Sequence, residues 1–221
     1  MEQKVISWDG ENKQLLSTVC RRCPEPHFQP RTDELGHIGC CAYEPVFTLY
    51  EIYAMIRAGE EKYFLESIYH NPLNTIHPYE IMAGGRVHPS YYGKKDGEAL
   101  SPHEKADALS HNPRTRFLAV DEKLSYTVCQ FFIDGKGCGL DPRFKTSICR
   151  SFICQSIEDK LSEREREQLD SWRRSIREEA EPFHRYHKKI LEREGITLLE
   201  DVHAVMDYFR KLLEAEKTVE N

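Results

Sequence analysis

The chain has no long apolar run. None of its stretches approaches the roughly 20 residues an α-helix needs to cross the hydrocarbon core of a bilayer. Its first residues, Met1-Glu2-Gln3-Lys4-Val5-Ile6-Ser7-Trp8-Asp9, lack the apolar centre of a secretory signal. Both absences lead to the expectation of a cytoplasmic protein that meets no membrane. Basic runs are missing too. With 31 basic against 37 acidic residues the formal charge is −6, whereas broad contact with a phosphate backbone needs a concentrated positive face. No nucleic-acid partner is expected. Several catalytic signatures are also lacking: no C-x3-C-x2-C radical motif, no glycine-rich nucleotide fingerprint, no recognisable nucleophile–base pair. Gly84-Gly85-Arg86 is too short a glycine signature to hold phosphate. Whether the protein is an enzyme stays open.

What the chain does contain is thiols. Four of its eight cysteines fall between 129 and 154 as C-x8-C-x10-C-x4-C: Cys129, Cys138, Cys149 and Cys154. The other four lie upstream as Cys20-x2-Cys23 and the doublet Cys40-Cys41. In a reducing compartment such cysteines are metal ligands or plain buried thiols more often than disulfides. Two tracts separated by a long cysteine-free stretch suggest one site assembled from both. Sulfur donors suit a soft metal, so all eight are candidate ligands to an iron–sulfur cluster or zinc. Eight thiolates could serve two four-sulfur zinc sites, or one cluster with the remainder structural. Only Cys20 and Cys23 have the paired spacing of a zinc knuckle, and the irregular later spacing leans toward iron–sulfur. His27 and His37 in the intervening loop are open candidates. Arg21 and Arg22 are placed either to offset thiolate charge or simply to be solvated.

The later block closes on Cys149-Arg150-Ser151-Phe152-Ile153-Cys154, and a helix-like stretch over 47–52 follows the Cys40-Cys41 doublet. In these features the chain resembles the cysteine-cluster family named for its CxxCxxCC signature, a family described as zinc- or iron-chelating. The resemblance covers about 18–55 and 115–155. Ile153 stands where the family's closing motif has proline, and Lys145-Thr146 where it has Arg-Pro. Sixteen residues, not two, separate Cys23 from Cys40. The resemblance implies a metal-binding protein. Through the flagellin lysine methylase, which carries the signature, it also implies an alternative: cluster-dependent methyl transfer from S-adenosylmethionine. A metal-delivery or protein-interaction module is a third reading.

The expected fold is α+β and mainly helical, with a small β-hairpin and irregular loops around a cysteine cluster and a C-terminal helical pair. The cysteine-cluster metal-binding domain spans 1–156, with 71–114 as a long irregular insertion, and the helical pair spans 157–221. A strand and turn open the chain. Apolar spacing predicts helices over 45–58 and 60–69, the first stopped at Gly59. Proline and glycine punctuate 71–114, leaving one brief helix at 104–109. Aromatic and β-branched bias predicts strands at 116–120 and 125–132, joined by a turn over 121–123. A further turn at 134–137 would complete a hairpin presenting Cys129 and Cys138. Phe131, Phe132, Phe144 and Phe152 would keep water from the site. A charged helix over 158–193 contains Pro182, which should kink or split it. Its Glu181-x-x-His184 is one half of a di-iron pattern that needs a second copy. Thr197 and Glu200 predict a capping box for a last helix over 198–216, whose stripe of Leu198, Val202, Val205, Met206, Phe209, Leu212 and Leu213 should pack on the cysteine domain or a protein partner.

Overall fold

Thr48 starts the helix around which the core is built. Its side chain accepts the Tyr50 N–H while the Glu51 carboxylate returns to the Thr48 N–H, a capping box that fixes where α1 (Leu49–Arg57) begins. Leu49, Ile52, Tyr53, Met55 and Ile56 are buried. Gly59, at φ +76, ends the element in a conformation that side chains resist. A computed structural model describes residues 5–19, 34–35, 39–133 and 136–219, without the side chains of 39, 40, 117, 121 and 219. The fold is α+β and mainly helical.

The strands β1 (Ile6–Asp9) and β2 (Gln14–Ser17) form an antiparallel hairpin. Asp9 holds its turn by accepting from the Gln14 and Asn12 side chains and from backbone N–H groups, which pulls its carboxyl down to about 2. A 3-10 turn, Gly39–Ala42, leads into β3 (Val46–Thr48) and α1. Short α2 (Glu61–Tyr63) runs on into a π-helical turn, Phe64–Tyr69.

The segment 71–114, expected to be irregular, carries three strands: β4 (Asn74–Ile76), β5 (Glu80–Ala83) and β6 (Gly85–Val87). β5 lies between β3 and β4 in a three-stranded antiparallel sheet, and β6 pairs with β7 (Thr127–Cys129), placing Gly85 opposite Cys129. The brief helix is α3 (Pro102–Ser110), started by a Ser101 capping box. The strand expected at 116–120 is instead part of α4 (Arg116–Leu124). The reason is local: the Arg116 N–H donates to the Asn112 carbonyl four residues back, so a helical turn is already set when the chain reaches 116. Ala119 then packs with Ala106, Tyr91 and Tyr126 in a small cluster of its own.

β8 (Phe132–Ile133) and β9 (Gly137–Cys138) form the hairpin that bears Cys138, while Cys129 belongs to the separate β6–β7 ladder. α5 (Ser147–Ser151) carries Cys149, and α6 (Gln155–Glu158) follows. The Ser162 capping box begins α7 (Glu163–Glu194), 32 residues continuous through Pro182 and closed by Gly195 at φ +69. α8 (Val202–Val219) starts later than its sequence suggests. Glu200 N–H does donate to the Thr197 hydroxyl, but it is Asp201 that accepts from the Ala204 N–H at the helix start.

Two apolar clusters share α7. Leu191 lies in the larger, with Phe47, Leu49, Phe64, Ile81 and Phe209; Leu169 lies in the other, with Ile6, Leu15, Ile153 and Ile157. Trp8 stacks on Trp172 beside that second cluster, ring centroids 5.6 Å apart. The apolar stripe of α8 is consumed internally: Val202, Val205, Met206 and Phe209 are all buried in the larger cluster. Any partner of these helices would have to be met through other surfaces.

Candidate metal centre

Four cysteines from four elements come within electrostatic reach of one another. Cys41 sits on the 3-10 turn packed beside β7, Cys129 ends β7, Cys138 ends β9 and Cys149 lies in α5. A negative charge on Cys41, Cys149 or Cys138 would raise the Cys129 thiol, one on Cys41 would raise Cys138, and one on Cys138 or Cys41 would raise Cys149. A charge on any one of the four would thus bear on the other three.

Burial is the larger cause of each shift. It pushes Cys129 up to about 12 and Cys149 up to about 11, and it raises Cys138. Cys129 is buried and Cys41 half-buried, whereas Cys138 and Cys149 touch solvent. Cys149 therefore opens to water on one side while protein crowds it closely enough on the others to desolvate it.

Cys129, Cys138 and Cys149 each also have a donor that favours the thiolate. Phe131 N–H donates to Cys129 and Leu140 N–H to Cys138, in both cases from the residue two positions on. The Thr146 side chain bonds to Cys149 at its sulfur and accepts the Cys149 N–H at 3.3 Å. Repeated turns that aim an N–H at sulfur lower the cost of a charged ligand. Lys145 adds positive charge toward Cys138 and Cys149, and its ammonium is held at 2.9 Å by the buried Gln14 side chain. An all-sulfur donor set suits zinc or iron, and a cation among the four would cancel the repulsion that now favours their protons. Among the described residues no three His, Cys, Asp or Glu side chains are already spaced to hold a metal ion. The sulfurs would have to draw in around it.

Cys154 has a different setting. It packs in the second cluster with Ile153, Ile157 and Leu169, its sulfur 3.2 Å from the Ser156 hydroxyl. Cys20, Cys23, Arg21, Arg22, His27 and His37 lie outside the described residues, as does the side chain of Cys40. Of the four phenylalanines expected to shield the site, Phe144 is buried and Phe131 packs edge-on to Phe47 in the larger cluster, but Phe152 is 39% exposed.

Several polar residues that frame the centre were not evident in the sequence. Gln130, directly after Cys129, donates to the Asn74 side chain at 2.6 Å and the Gly84 carbonyl at 2.9 Å, and accepts from Asn71 at 2.6 Å. These bonds tie the end of β7 to the β4–β6 region. Arg150 is buried under the face of Tyr50, 5.8 Å from ring centroid to guanidinium carbon. It stands 3.7 Å from Glu179 of α7, close enough to attract but not to hydrogen-bond, so its Nε and the facing Glu179 oxygen have no hydrogen-bond partner. Arg173 donates to the carbonyls of Ser151 and Ile153 and pairs with Glu158 at 2.8 Å. Through these two arginines α7 holds the closing cysteine motif itself, at Arg150, Ser151 and Ile153.

Two suggestive arrangements reduce to local structure. His184, half of the di-iron spacing, uses Nδ1 to accept the Leu49 N–H at 3.3 Å at the start of α1. Ser90 Oγ lies 2.7 Å from His88 Nδ1, and Glu34 lies 2.5 Å from Nε2, which has the outline of a nucleophile, a base and its orienter. Here, though, Nδ1 also accepts the Ser90 N–H as cap of a 3-10 turn, and the next two N–H groups already donate to His88 and Pro89 carbonyls. No pair of N–H groups in that turn remains to steady an oxyanion. The glycines at 84 and 85 serve packing: a Cβ would lie 2.1 Å from the Leu73 carbonyl at Gly84 and 2.3 Å from Thr127 at Gly85.

The chain matches no protein-family model, no curated protein and no solved structure. No helix among its described residues is long and apolar enough to cross a membrane.

Proposed function

We propose that this chain is a metal-binding protein whose centre, an iron–sulfur cluster or zinc, is held by Cys41, Cys129, Cys138 and Cys149. What supports the reading is that those four thiols, on four separate elements, lie near enough for a charge on one to bear on the others. Buried thiols that gain no ligand are normally scattered singly among apolar neighbours, as Cys154 is. The backbone donors to Cys129 and Cys138 support the same reading, because they favour thiolates over thiols. A reducing compartment would keep such thiols available, and we place the protein in the cytoplasm on that ground. Methyl transfer from S-adenosylmethionine and metal delivery rest on the family resemblance, and no feature of the site favours either over simple binding.

The test is metal analysis with an absorption spectrum on protein purified without oxygen, alongside single serine variants. The expected result is stoichiometric iron with sulfide-to-iron absorption, or colourless protein with stoichiometric zinc. Cys129→Ser and Cys149→Ser should lose the metal, and Cys154→Ser should keep it. Metal-free wild-type protein, or equal loss in all three variants, would overturn the assignment.

A further inference from the structure

The structure assigns Glu51 a positioning role: its buried carboxylate holds the short helix bearing Cys149 against the central helix of the fold, and so sets where that sulfur stands. The metal role of Cys149 rests on the function proposed above; the placement of α5 by Glu51 does not. Glu51 is 1% exposed. One carboxylate oxygen accepts from Thr48 N–H at 2.9 Å and from the Thr48 hydroxyl at 2.5 Å, which is the α1 cap. The other accepts from Ser147 N–H at 2.8 Å, the first residue of α5. A single carboxylate thus serves the N-terminal ends of two helices, where backbone N–H groups lack intrahelical partners and negative charge is favoured.

α5 is five residues long, too short to hold its shape or direction unaided. Thr146, fully buried, fixes Cys149 within the turn by accepting its N–H. Glu51 fixes the turn within the protein. The bond to Ser147 is not needed for capping α1, since the Thr48 side chain and the other Glu51 oxygen complete that box. Glu51 therefore couples the apolar core to the thiol centre through one hydrogen bond that spans 96 positions of sequence.

The experiment compares the full-length chain with Glu51→Ala, Glu51→Gln and Thr48→Ala, using two readouts. Zn2+ affinity is measured by competition with a chelator. Alkylation of metal-free protein by iodoacetamide is followed by peptide mass, where tryptic cleavage separates Cys149 (146–150) from Cys154 (151–160). In Glu51→Ala, Zn2+ affinity should fall about 10- to 100-fold, as when an outer partner of a ligand is removed. Cys149 should be alkylated several-fold faster, with Cys154 unchanged. Glu51→Gln keeps the shape and one acceptor oxygen, and should fall between Glu51→Ala and wild type. Thr48→Ala loosens the α1 cap but leaves Ser147 its acceptor, so its Cys149 should behave as in wild type. Glu51→Ala with unchanged Cys149 alkylation would overturn the inference. So would Cys149 and Cys154 accelerating together, the mark of general loosening. Wild-type protein that binds neither Zn2+ nor an iron–sulfur cluster would sink the metal reading, and the alkylation rates would still decide the role of Glu51.

Discussion

At Gly84 the backbone passes so close to Leu73 that a single added carbon would lie 2.1 Å from its carbonyl oxygen. That oxygen belongs to backbone and cannot rotate aside. Gly84→Ala should therefore push β4 and β5–β6 apart and destabilise the protein by about 1–3 kcal/mol, measurable as a lower denaturant midpoint. The same shift would disturb the bond that the Gly84 carbonyl accepts from Gln130, the neighbour of Cys129. Paired glycines invite a phosphate-binding reading in sequence. Here their meaning is steric, revealed by the pairing of β4 with β5 beside Gly84 and of β6 with β7 at Gly85.

The helices illustrate a second kind of control, that of titration. His187 on α7 is buried among Phe183, Tyr208 and Phe209, with Nδ1 2.6 Å from the Tyr208 hydroxyl of α8. Burial lowers its pKa below the ordinary 6.5, against a smaller opposing pull from Glu216, and burial likewise lowers His184 one turn earlier. Between the lowered value and 6.5 the unfolded chain binds more protons than the folded one. This contribution is thus intact above about pH 6.5 and lost as pH falls through the folded value. Stability measured by denaturant should decline from pH 7 toward pH 5, and His187→Leu should flatten part of that slope.

Elements with strong signals were legible in the sequence. The apolar spacing that gives α1, α7 and α8 survives in the structure because each helix buries one face, and the opening hairpin follows its turn. The segment 71–114 was opaque because β4, β5 and β6 are only three or four residues each, and β5 and β6 are held by β3 and β7, far away in sequence. At 116–120 the residue bias favoured a strand, while the hydrogen bond back to Asn112 made a helix. For the candidate site, the concentration of cysteines was visible. Which thiols lie near one another was not, since that depends on strand pairing and on how α5 is placed.

On the scale of the whole molecule, α7 links regions that otherwise have separate interiors. Its 32 residues extend about 48 Å, with Leu169 seated in one cluster and Leu191 in the other. Glu179, between them, faces Arg150 beside Cys149. The rotational phase of this one rod must consequently suit both seats simultaneously. One alanine inserted between Leu169 and Glu179 would turn everything beyond it by about 100°, a mismatch no side-chain adjustment can absorb. Such a variant should unfold less cooperatively and lose much of its near-ultraviolet dichroism, and seven inserted residues should not rescue it, because they restore the angle but shift one seat about 10 Å along the axis. Deletions and insertions tolerated by its loops would be censored along this rod, whose length and phase are both set by its two ends.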